Sequence, residues 1–444
     1  MTTRPKRTVK NEMKKTLRPF QIEGAKFLSE RYHALLADEM GLGKTVTALA
    51  AVSSLGLKNV LVVCPASVRS NWKQEIEECG VLDPHFDIIS YNGAAAGDIP
   101  LRSGYDALIL DEAHALKTPT SLRCQAIFGN GTGLARRAKY KWCLTGTPVL
   151  NRPRELYPIL KCLHSGGIAP YNTWDKFAQR FCGAFFDGYS INTKGASHLE
   201  DLRNRLDGFM LRREKKDVLK ELPPRIISHP PIDISTSELS PILELEEEIG
   251  NREAYLSPTH EDFAQLGDMA RLLKVTGVAK VPAVSRFIED ILETEGKIVV
   301  FARHRDVIAA LSLTLKKFNP VEYVGGMSDD QKKNVVSRFV RDEECRVFIG
   351  QIQAAGTGIN GLQTVCHNVC FAELSWVPGE MAQAIDRCHR IGLPGSVEGV
   401  NVYMPHVPGT LESAMLQVQL GKGKVIEALV GSRSPEENVL EGLV

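Results

Sequence analysis

The sequence predicts an α/β protein with two domains, each a mostly parallel sheet flanked by helices. Short apolar runs rich in β-branched residues alternate with helical patterns in both halves of the 444-residue chain. Proline pairs at 223–224 and 230–231 interrupt this alternation between the halves. Ligands of parallel sheets bind at the carboxyl ends of the strands, so functional residues are expected directly after strands.

The individual elements are predicted from apolar runs and helical periodicity. In the first half the predicted strands are 34–37, 60–64, 86–90, 107–110 and 141–144, and the predicted helices include 46–55, 68–79 and 121–128. Residues 173–220 are predicted to be helical and charged. In the second half a polar helical stretch, 238–274, precedes strands at 297–301, 321–323, 346–349, 368–371 and 399–403. The two domains are expected to meet near residue 225.

The overall charge excludes a strongly basic or acidic protein, because 54 Lys and Arg face 53 Asp and Glu. Residues 1–16 are locally basic, with six basic side chains and a single acidic one. Such a basic arm is typical either of a segment that binds a polyanion or of a solvated tail. No apolar stretch has the length of a membrane span, and the N-terminus lacks a signal-peptide pattern, so a cytoplasmic protein is expected. The ten cysteines include no C-x-x-C pair and are predicted to be buried, reduced thiols.

The stretch DEMGLGKT, between a predicted strand and a predicted helix, indicates a phosphate-binding loop. Its glycines permit a tight bend that turns backbone N–H groups toward a phosphate, with the start of the helix behind them. Lys44 is expected to reach the β- and γ-phosphates, and Thr45 to ligate Mg²⁺. The loop is a variant, because an aspartate replaces the first glycine of the strict pattern. The predicted nucleotide contacts here are Asp38, Glu39, Met40, Gly41, Leu42, Gly43, Lys44 and Thr45.

A second chemical signal is the pair Asp111-Glu112, which follows the predicted strand 107–110. Two carboxylates at the end of a buried strand lie beside the phosphate loop if both strands belong to one sheet. Asp111 is then expected to hold Mg²⁺, and Glu112 to orient and deprotonate the attacking water. Together the two motifs predict an ATP hydrolase that uses Mg²⁺.

With these motifs, residues 17–403 resemble the superfamily 2 helicase-type ATPases and, more closely, the Swi/Snf-related translocases on double-stranded DNA. The resembling segments of the first half are 17–24, 62–76, 144–148 and 209–224, and the last of these most separates the family from other helicases. The resemblance implies the following roles: Gln21 reads the adenine edge, Ser67, Arg69 and Lys73 contact nucleic acid, and Thr145, Gly146 and Thr147 couple nucleotide to DNA.

In the second half the resembling segments are 298–306, 354–360 and 383–392. They imply coupling roles for Gly358 and Gln383 and a tryptophan, Trp376, against the DNA groove. Arg387 and Arg390 lie three residues apart, so on a helix they share a face. The resemblance makes them arginine fingers that act on the γ-phosphate. Leu393 and Thr357 depart from the family pattern, without removing an expected ligand of phosphate, metal or water.

The resemblance also implies the overall organisation. Two RecA-like domains are expected at 17–225 and 226–444, after a basic arm at 1–16, with helical insertions at about 165–220 and 236–280. The segment 271–284 resembles the annealing-helicase and fork-remodelling branch, and the chain resembles a minimal bacterial or phage-type core. The implied cofactors are ATP and Mg²⁺. The implied partners are double-stranded or forked DNA and a targeting protein, with no membrane and a monomeric state.

Three functions compete at this point. The favoured one is an ATP-driven translocase on duplex DNA that remodels DNA or DNA–protein structures by strand annealing or fork remodelling. A strand-separating DNA or RNA helicase is the first alternative, since the Asp-Glu-Ala-His motif occurs there too. A nucleotide-switched DNA clamp with little turnover is the second. The set of Lys44, Asp111, Glu112, Arg387 and Arg390 argues against a pure switch, which has no need of a water-activating carboxylate.

Overall fold

The computed structural model describes residues 13–416, apart from 101, 103, 130–132, 149–151, 187–189, 194, 250–262, 356–358, 376, 411 and 415. This part of the chain divides into two compact units, the first ending at Lys220 and the second beginning at Glu221. Most of the basic arm, together with Trp376 and Gly358, therefore lies outside the described residues.

The first unit contains a six-stranded parallel sheet in the order β3-β2-β4-β5-β1-β8. Its strands are β1 (His33–Leu36), β2 (Asn59–Cys64), β3 (His85–Ser90), β4 (Tyr105–Asp111), β5 (Ala138–Leu144) and β8 (Met210–Leu211), and β6 (Phe185–Phe186) and β7 (Ile191–Asn192) form a separate antiparallel pair. The helices are α1 (Pro19–Ser29), α2 (Lys44–Leu55), α3 (Arg69–Cys79), α4 (Tyr91–Ala96), α5 (Leu122–Phe128), α6 (Tyr157–Leu163), α7 (Trp174–Phe181), α8 (Leu199–Leu206) and α9 (Lys215–Val218). The central strands are buried on both faces, which explains why they read as continuous apolar runs rather than alternating ones.

The second unit repeats this architecture with the parallel order β11-β12-β10-β13-β14-β9. Its strands are β9 (Arg225–Ser228), β10 (Ile298–Ala302), β11 (Val321–Tyr323), β12 (Val347–Gln351), β13 (Asn368–Phe371) and β14 (Val400–Tyr403). Its helices are α10 (Thr236–Ile249), α11 (Phe263–Ala279), α12 (Val281–Thr294), α13 (Arg305–Thr314), α14 (Asp329–Arg341), α15 (Ile352–Ala355) and α16 (Pro378–Ile385). The predicted fold class, two mostly parallel sheets with flanking helices, is confirmed.

Two strands of the six-stranded sheets, β8 and β9, are missing from the sequence prediction, as is the short antiparallel pair of β6 and β7. Strand β8 lies in 173–220, a region predicted to be helical, and β9 directly follows the proline pair Pro223-Pro224. Each adds to the end of its sheet by pairing with a strand that is distant in the sequence, β8 with β1 and β9 with β14. Two to four residues carry too little periodicity to reveal such a pairing, because tertiary contacts rather than local propensity create it.

The polar stretch that the sequence left without a role contributes to the core of the second unit. Ile242 and Leu245 of α10 and Leu272 and Leu273 of α11 are buried in one cluster with side chains from the second sheet. At the surface, the Lys274 ammonium pairs with the Asp306 carboxylate at 2.5 Å. Within the described residues, no helix is long and apolar enough to cross a membrane.

Candidate functional site

The phosphate loop connects β1 to α2 and has the backbone bend that its glycines predict. Gly41 and Gly43 adopt the left-handed conformation, with φ of 84° and 76°, which is strained for residues with a side chain. Helix α2 begins at Lys44, so its positive end faces the loop. The Lys44 ammonium donates to the Asp38 and Glu39 carbonyl oxygens at 2.8 and 3.4 Å. The cradle therefore fits a phosphate chain, with a cation and a helix start at one point.

Gln21, the predicted adenine reader, lies against this loop. Its side-chain amide nitrogen donates to the Leu42 carbonyl at 3.2 Å, and its oxygen accepts from the Arg18 backbone N–H at 3.0 Å. A methyl group added at Gly43 would come within 2.5 Å of the same amide nitrogen. Gly43 is thus required twice, by its backbone conformation and by the close approach of Gln21. The predicted adenine reader and the phosphate loop are therefore in direct contact.

Strands β1, β4 and β5 bring the predicted chemistry together, because they are neighbours that end at the same level. Both Asp111 and Leu36 pair with Leu144, the last residue of β5. The phosphate loop, the acidic pair Asp111-Glu112 and the predicted coupling segment, residues 145–147, here called the Thr145 segment, consequently begin side by side. A methyl group at Gly146 would lie 2.1 Å from Met40 Cγ and 3.3 Å from the Lys44 ammonium, so this glycine permits the close approach of the phosphate loop.

Asp111 is a buried carboxylate held by two donors. The Trp72 indole N–H donates to one oxygen at 2.8 Å, and the Glu112 backbone N–H donates to the other at 3.0 Å. Burial raises the pKa of Asp111 to about 6; the Glu112 carboxylate adds to the rise, whereas the Trp72 bond and the Lys44 charge oppose it. A cation bound here would relieve this penalty, which is the electrostatic setting that a Mg²⁺ ligand needs.

Glu112 has an unusual backbone, with φ of 50° and ψ of 53°. A non-glycine residue in the left-handed region stores strain, and such strain concentrates at functional sites. Its carboxylate lies 3.3 Å from His114 Nδ1, and the same nitrogen lies 3.1 Å from the Thr145 hydroxyl. The Thr147 backbone N–H donates to that hydroxyl at 3.2 Å. His114 thereby connects the predicted water-activating carboxylate to the predicted coupling segment.

Helix α3 separates two roles on its two faces. Arg69 and Lys73, predicted to contact nucleic acid, lie one turn apart and are exposed, and Ser67 lies in the short turn before the helix. Trp72 and Ile76 form the buried face. Since Trp72 also holds Asp111, the same helix carries the predicted DNA contacts outside and the support of the predicted metal ligand inside.

In the second unit, the prediction that Arg387 and Arg390 share a helix is wrong. Helix α16, which carries the buried Gln383, ends at Ile385, and both arginines follow it in turns. Contacts to the start of β9 draw the chain out of the helix: the His389 ring lies 2.8 Å from the Pro223 carbonyl oxygen.

Both arginine side chains nevertheless reach one segment. Arg387 Nη1 donates to the Ile359 carbonyl at 3.4 Å, and Arg390 Nη1 donates to the Asn360 side-chain oxygen at 2.6 Å. The two guanidinium groups therefore contact neighbouring residues of one segment, and their action as arginine fingers stays a prediction.

Several side chains at the site had no role in the sequence analysis. Trp72 and His114 are two of them, and the basic residues Arg212, Arg213 and Lys215 beside the phosphate loop are the others. A tryptophan on the buried face of an amphipathic helix needs a hydrogen-bond acceptor, and this signal is readable in the sequence. The basic residues gave no such signal, because their partners are about 175 positions away.

Comparison with known proteins gives matches over most of the chain. A model described as SNF2-related domain matches residues 20–98 and 98–240, and one described as helicase conserved C-terminal domain matches residues 280–392. The DNA annealing helicase and endonuclease ZRANB3 is 30% identical in Bos taurus and 31% identical in Mus musculus, over 97% of this chain. A Caenorhabditis elegans homologue of SWI/SNF-related matrix-associated actin-dependent regulator of chromatin subfamily A-like protein 1 is 29% identical over 85% of this chain.

These matches cover 42% of each ZRANB3 relative and 57% of the Caenorhabditis elegans protein, so the chain spans roughly half the length of its curated relatives. A solved structure, the Sulfolobus solfataricus SWI2/SNF2 ATPase core in complex with dsDNA, aligns over 97% of this chain and 94% of that chain, at 21% identity and a TM-score of 0.44. The two family models follow each other in the order that the motifs predict. The chain belongs to the SNF2-related family of helicase-like proteins.

Proposed function

We propose that this protein hydrolyses ATP with Mg²⁺ and uses the energy to move along duplex DNA without separating its strands. The observation that carries the proposal is the convergence of the phosphate loop, the Asp111-Glu112 pair and the Thr145 segment at one edge of the first sheet. Such a set of groups is needed to bind a nucleotide, to activate the attacking water and to couple hydrolysis to movement on DNA. The family assignment supports the same chemistry.

Each residue of the first unit has a distinct part in the proposed reaction. Lys44 and the loop backbone bind the phosphates, and Gln21 orients the base. Thr45 and Asp111 would hold Mg²⁺, which would neutralise charge on the phosphate oxygens. Glu112 accepts a hydrogen bond from the attacking water and takes its proton. Through His114, the state of Glu112 is transmitted to Thr145.

In this proposal Arg387 and Arg390 act as arginine fingers that stabilise the charge developing on the γ-phosphate. Their convergence on residues 359–360 supports a joint role. In nucleotide hydrolases an arginine finger accelerates turnover by about 10³- to 10⁵-fold. Gln383 and Gly358 would couple this step to movement, as the family resemblance implies.

DNA is the proposed track. The exposed face of α3 offers Arg69 and Lys73 to phosphates, and phosphate contacts give little sequence preference and a steep salt dependence. The relatives are described as a DNA annealing helicase and as a chromatin regulator, which favours duplex or forked DNA over RNA. Strand annealing or fork remodelling is the proposed outcome, with Trp376 against the groove and a partner protein for targeting.

Steady-state ATP hydrolysis tests this proposal, measured without nucleic acid and then with single-stranded DNA, duplex DNA, forked duplex or RNA, each at two salt concentrations. Strong stimulation by duplex or forked DNA, and none by RNA, is expected. Stimulation by RNA or single strands alone would favour a strand-separating helicase instead. Absence of hydrolysis under every condition would favour a nucleotide-switched clamp.

A further inference from the structure

A short segment of the first unit, residues 210–215, runs beside the phosphate loop. Strand β8 pairs with β1, with Leu35 opposite Met210 and Leu36 opposite Leu211. The pairing continues past the end of β1, because the Ala37 N–H donates to the Leu211 carbonyl at 2.8 Å and the Glu39 N–H donates to the Arg213 carbonyl at 3.0 Å. The first residues of the phosphate loop are therefore hydrogen-bonded as if they continued the sheet.

The Arg213 side chain binds the loop a second time. Its guanidinium forms a two-pronged pair with the Asp38 carboxylate, through Nε at 3.0 Å and through Nη2. Asp38 is 1% exposed and the Arg213 side chain 11%, so water hardly screens this pair. Asp38 stands where the strict phosphate-loop pattern has a glycine. The buried carboxylate at that position thus comes with a matching cation.

Arg213 also holds the helix that carries the adenine reader. Its Nη1 donates to the Phe20 carbonyl, and the guanidinium lies over the Phe20 ring, 5.5 Å from the ring centroid. Gly24, one turn further along α1, provides the space, since a methyl group there would lie 2.7 Å from Arg213 Nη2. One side chain consequently joins the phosphate loop to α1 next to Gln21.

The neighbouring basic residues Arg212 and Lys215 also bind the phosphate loop. Arg212 Nη1 donates to the carbonyls of Ala37 and Gly146, at 3.0 and 3.2 Å, and so bridges the phosphate loop and the coupling segment. The Lys215 backbone N–H donates to the buried Glu39 carboxylate at 2.6 Å. All these contacts bind the phosphate loop to the segment 210–215.

We propose that Arg213 is a positioning residue for the nucleotide: through Asp38 and Phe20 it fixes the distance between the phosphate loop and Gln21. The proposal rests on the proposed function in one respect, that this loop binds ATP. Two predictions separate Arg213 from an ordinary structural arginine. Its loss weakens nucleotide binding more than it slows turnover, and it reduces the preference for adenine over guanine, because phosphates and base are no longer held in register.

The test compares Arg213→Lys, Asp38→Asn and the double variant with the parent protein. Arg205→Lys is the matched control, because Arg205 also forms a close pair with an aspartate of the same unit, Asp201, at 2.7 Å. The measurements are the Kd for a fluorescent ADP analogue, kcat and KM for ATP and for GTP, and the melting temperature as a check of folding.

For Arg213→Lys we expect the Kd for ADP and the KM for ATP to rise by about ten- to a hundredfold, the scale of a lost buried charge-assisted hydrogen bond. The ATP-to-GTP preference should narrow, and the control should match the parent. If Arg213 acts through Asp38, the double variant should be no worse than Arg213→Lys alone. If the single variant does not fold, Arg213→Gln combined with Asp38→Asn, which removes both buried charges together, carries the same comparison.

Parent-like affinity and base preference in Arg213→Lys would overturn the proposal, and so would effects of the two single variants that add in full. A parent protein that binds no nucleotide would instead refute the proposed function.

Discussion

The buried carboxylate of Asp111 predicts a pH-dependent cost of stability that an amide would remove. Because the pKa of Asp111 is about 6 in the folded protein against an ordinary 3.8, the folded state binds this proton more tightly than the unfolded chain. Stability therefore falls as pH rises from about 4 to about 6, and the whole cost is present above that range. From these two values the cost is about 3 kcal/mol at pH 8 and about half of that at pH 5.

Asp111→Asn eliminates this proton-linked cost. The two carboxylate oxygens of Asp111 accept hydrogen bonds from the Trp72 indole N–H and the Glu112 backbone N–H, and an amide offers only one acceptor oxygen. The cost of the lost hydrogen bond does not depend on pH. The difference in unfolding free energy, variant minus parent, should thus become more positive by about 1–2 kcal/mol as the pH is raised from 5 to 8. ATP hydrolysis should be lost at the same time.

Urea unfolding followed by tryptophan fluorescence measures this difference, without nucleotide and with a chelator present. Three of the four tryptophans, Trp72, Trp142 and Trp174, lie in the first unit, so the signal reports that unit. As a control, Mg²⁺ and ADP should shrink the advantage of the variant, because a bound cation compensates the charge of the parent. A difference in unfolding free energy that is equal at pH 5 and pH 8 would show that the Asp111 carboxylate carries no pH-dependent cost.

Three further predictions concern the same site. Trp72→Phe keeps an aromatic ring, although a smaller one, and removes the indole donor to Asp111, so the Mg²⁺ concentration needed for half-maximal hydrolysis should rise by several-fold; an unchanged Mg²⁺ titration would contradict this role. Glu112→Gln should lower kcat by about 10²- to 10⁴-fold while nucleotide affinity is retained. Glu112→Gly should be equally inactive, but in thermal unfolding it should be more stable than Glu112→Gln by about 1 kcal/mol, because glycine accepts the left-handed backbone conformation. Arg69→Gln and Lys73→Gln should each reduce the slope of log affinity for duplex DNA against log salt by about 0.9, and a slope equal to the parent's would remove that residue from the DNA surface.

The sequence revealed the chemistry where it is local. Glycines 41 and 43 predict the bent loop from their own backbone freedom, and the apolar run before Asp111 predicts the strand that places it. Parallel strands end at one edge, so the proximity of the loop and the acidic pair followed from the fold class alone.

Contacts between segments that are distant in the chain could not be predicted from the sequence. The Trp72 indole meets Asp111 across 39 positions, and Arg213 meets Asp38 across 175. Strand β8 exists because β1 offers it a partner, not because two residues favour a strand. Arg387 and Arg390 show the same limit in reverse: helical spacing predicted a shared face, and tertiary contacts ended the helix first.

The central claim, ATP-driven movement along duplex DNA without strand separation, is tested most directly by triplex displacement. A labelled third strand is bound to one end of a long duplex, and its release is followed with ATP, with a non-hydrolysable analogue, and with Glu112→Gln as the matched control. We expect the parent protein to release the third strand with ATP alone, while the underlying duplex stays paired. Separation of the duplex strands, or ATP hydrolysis without third-strand release, would contradict it.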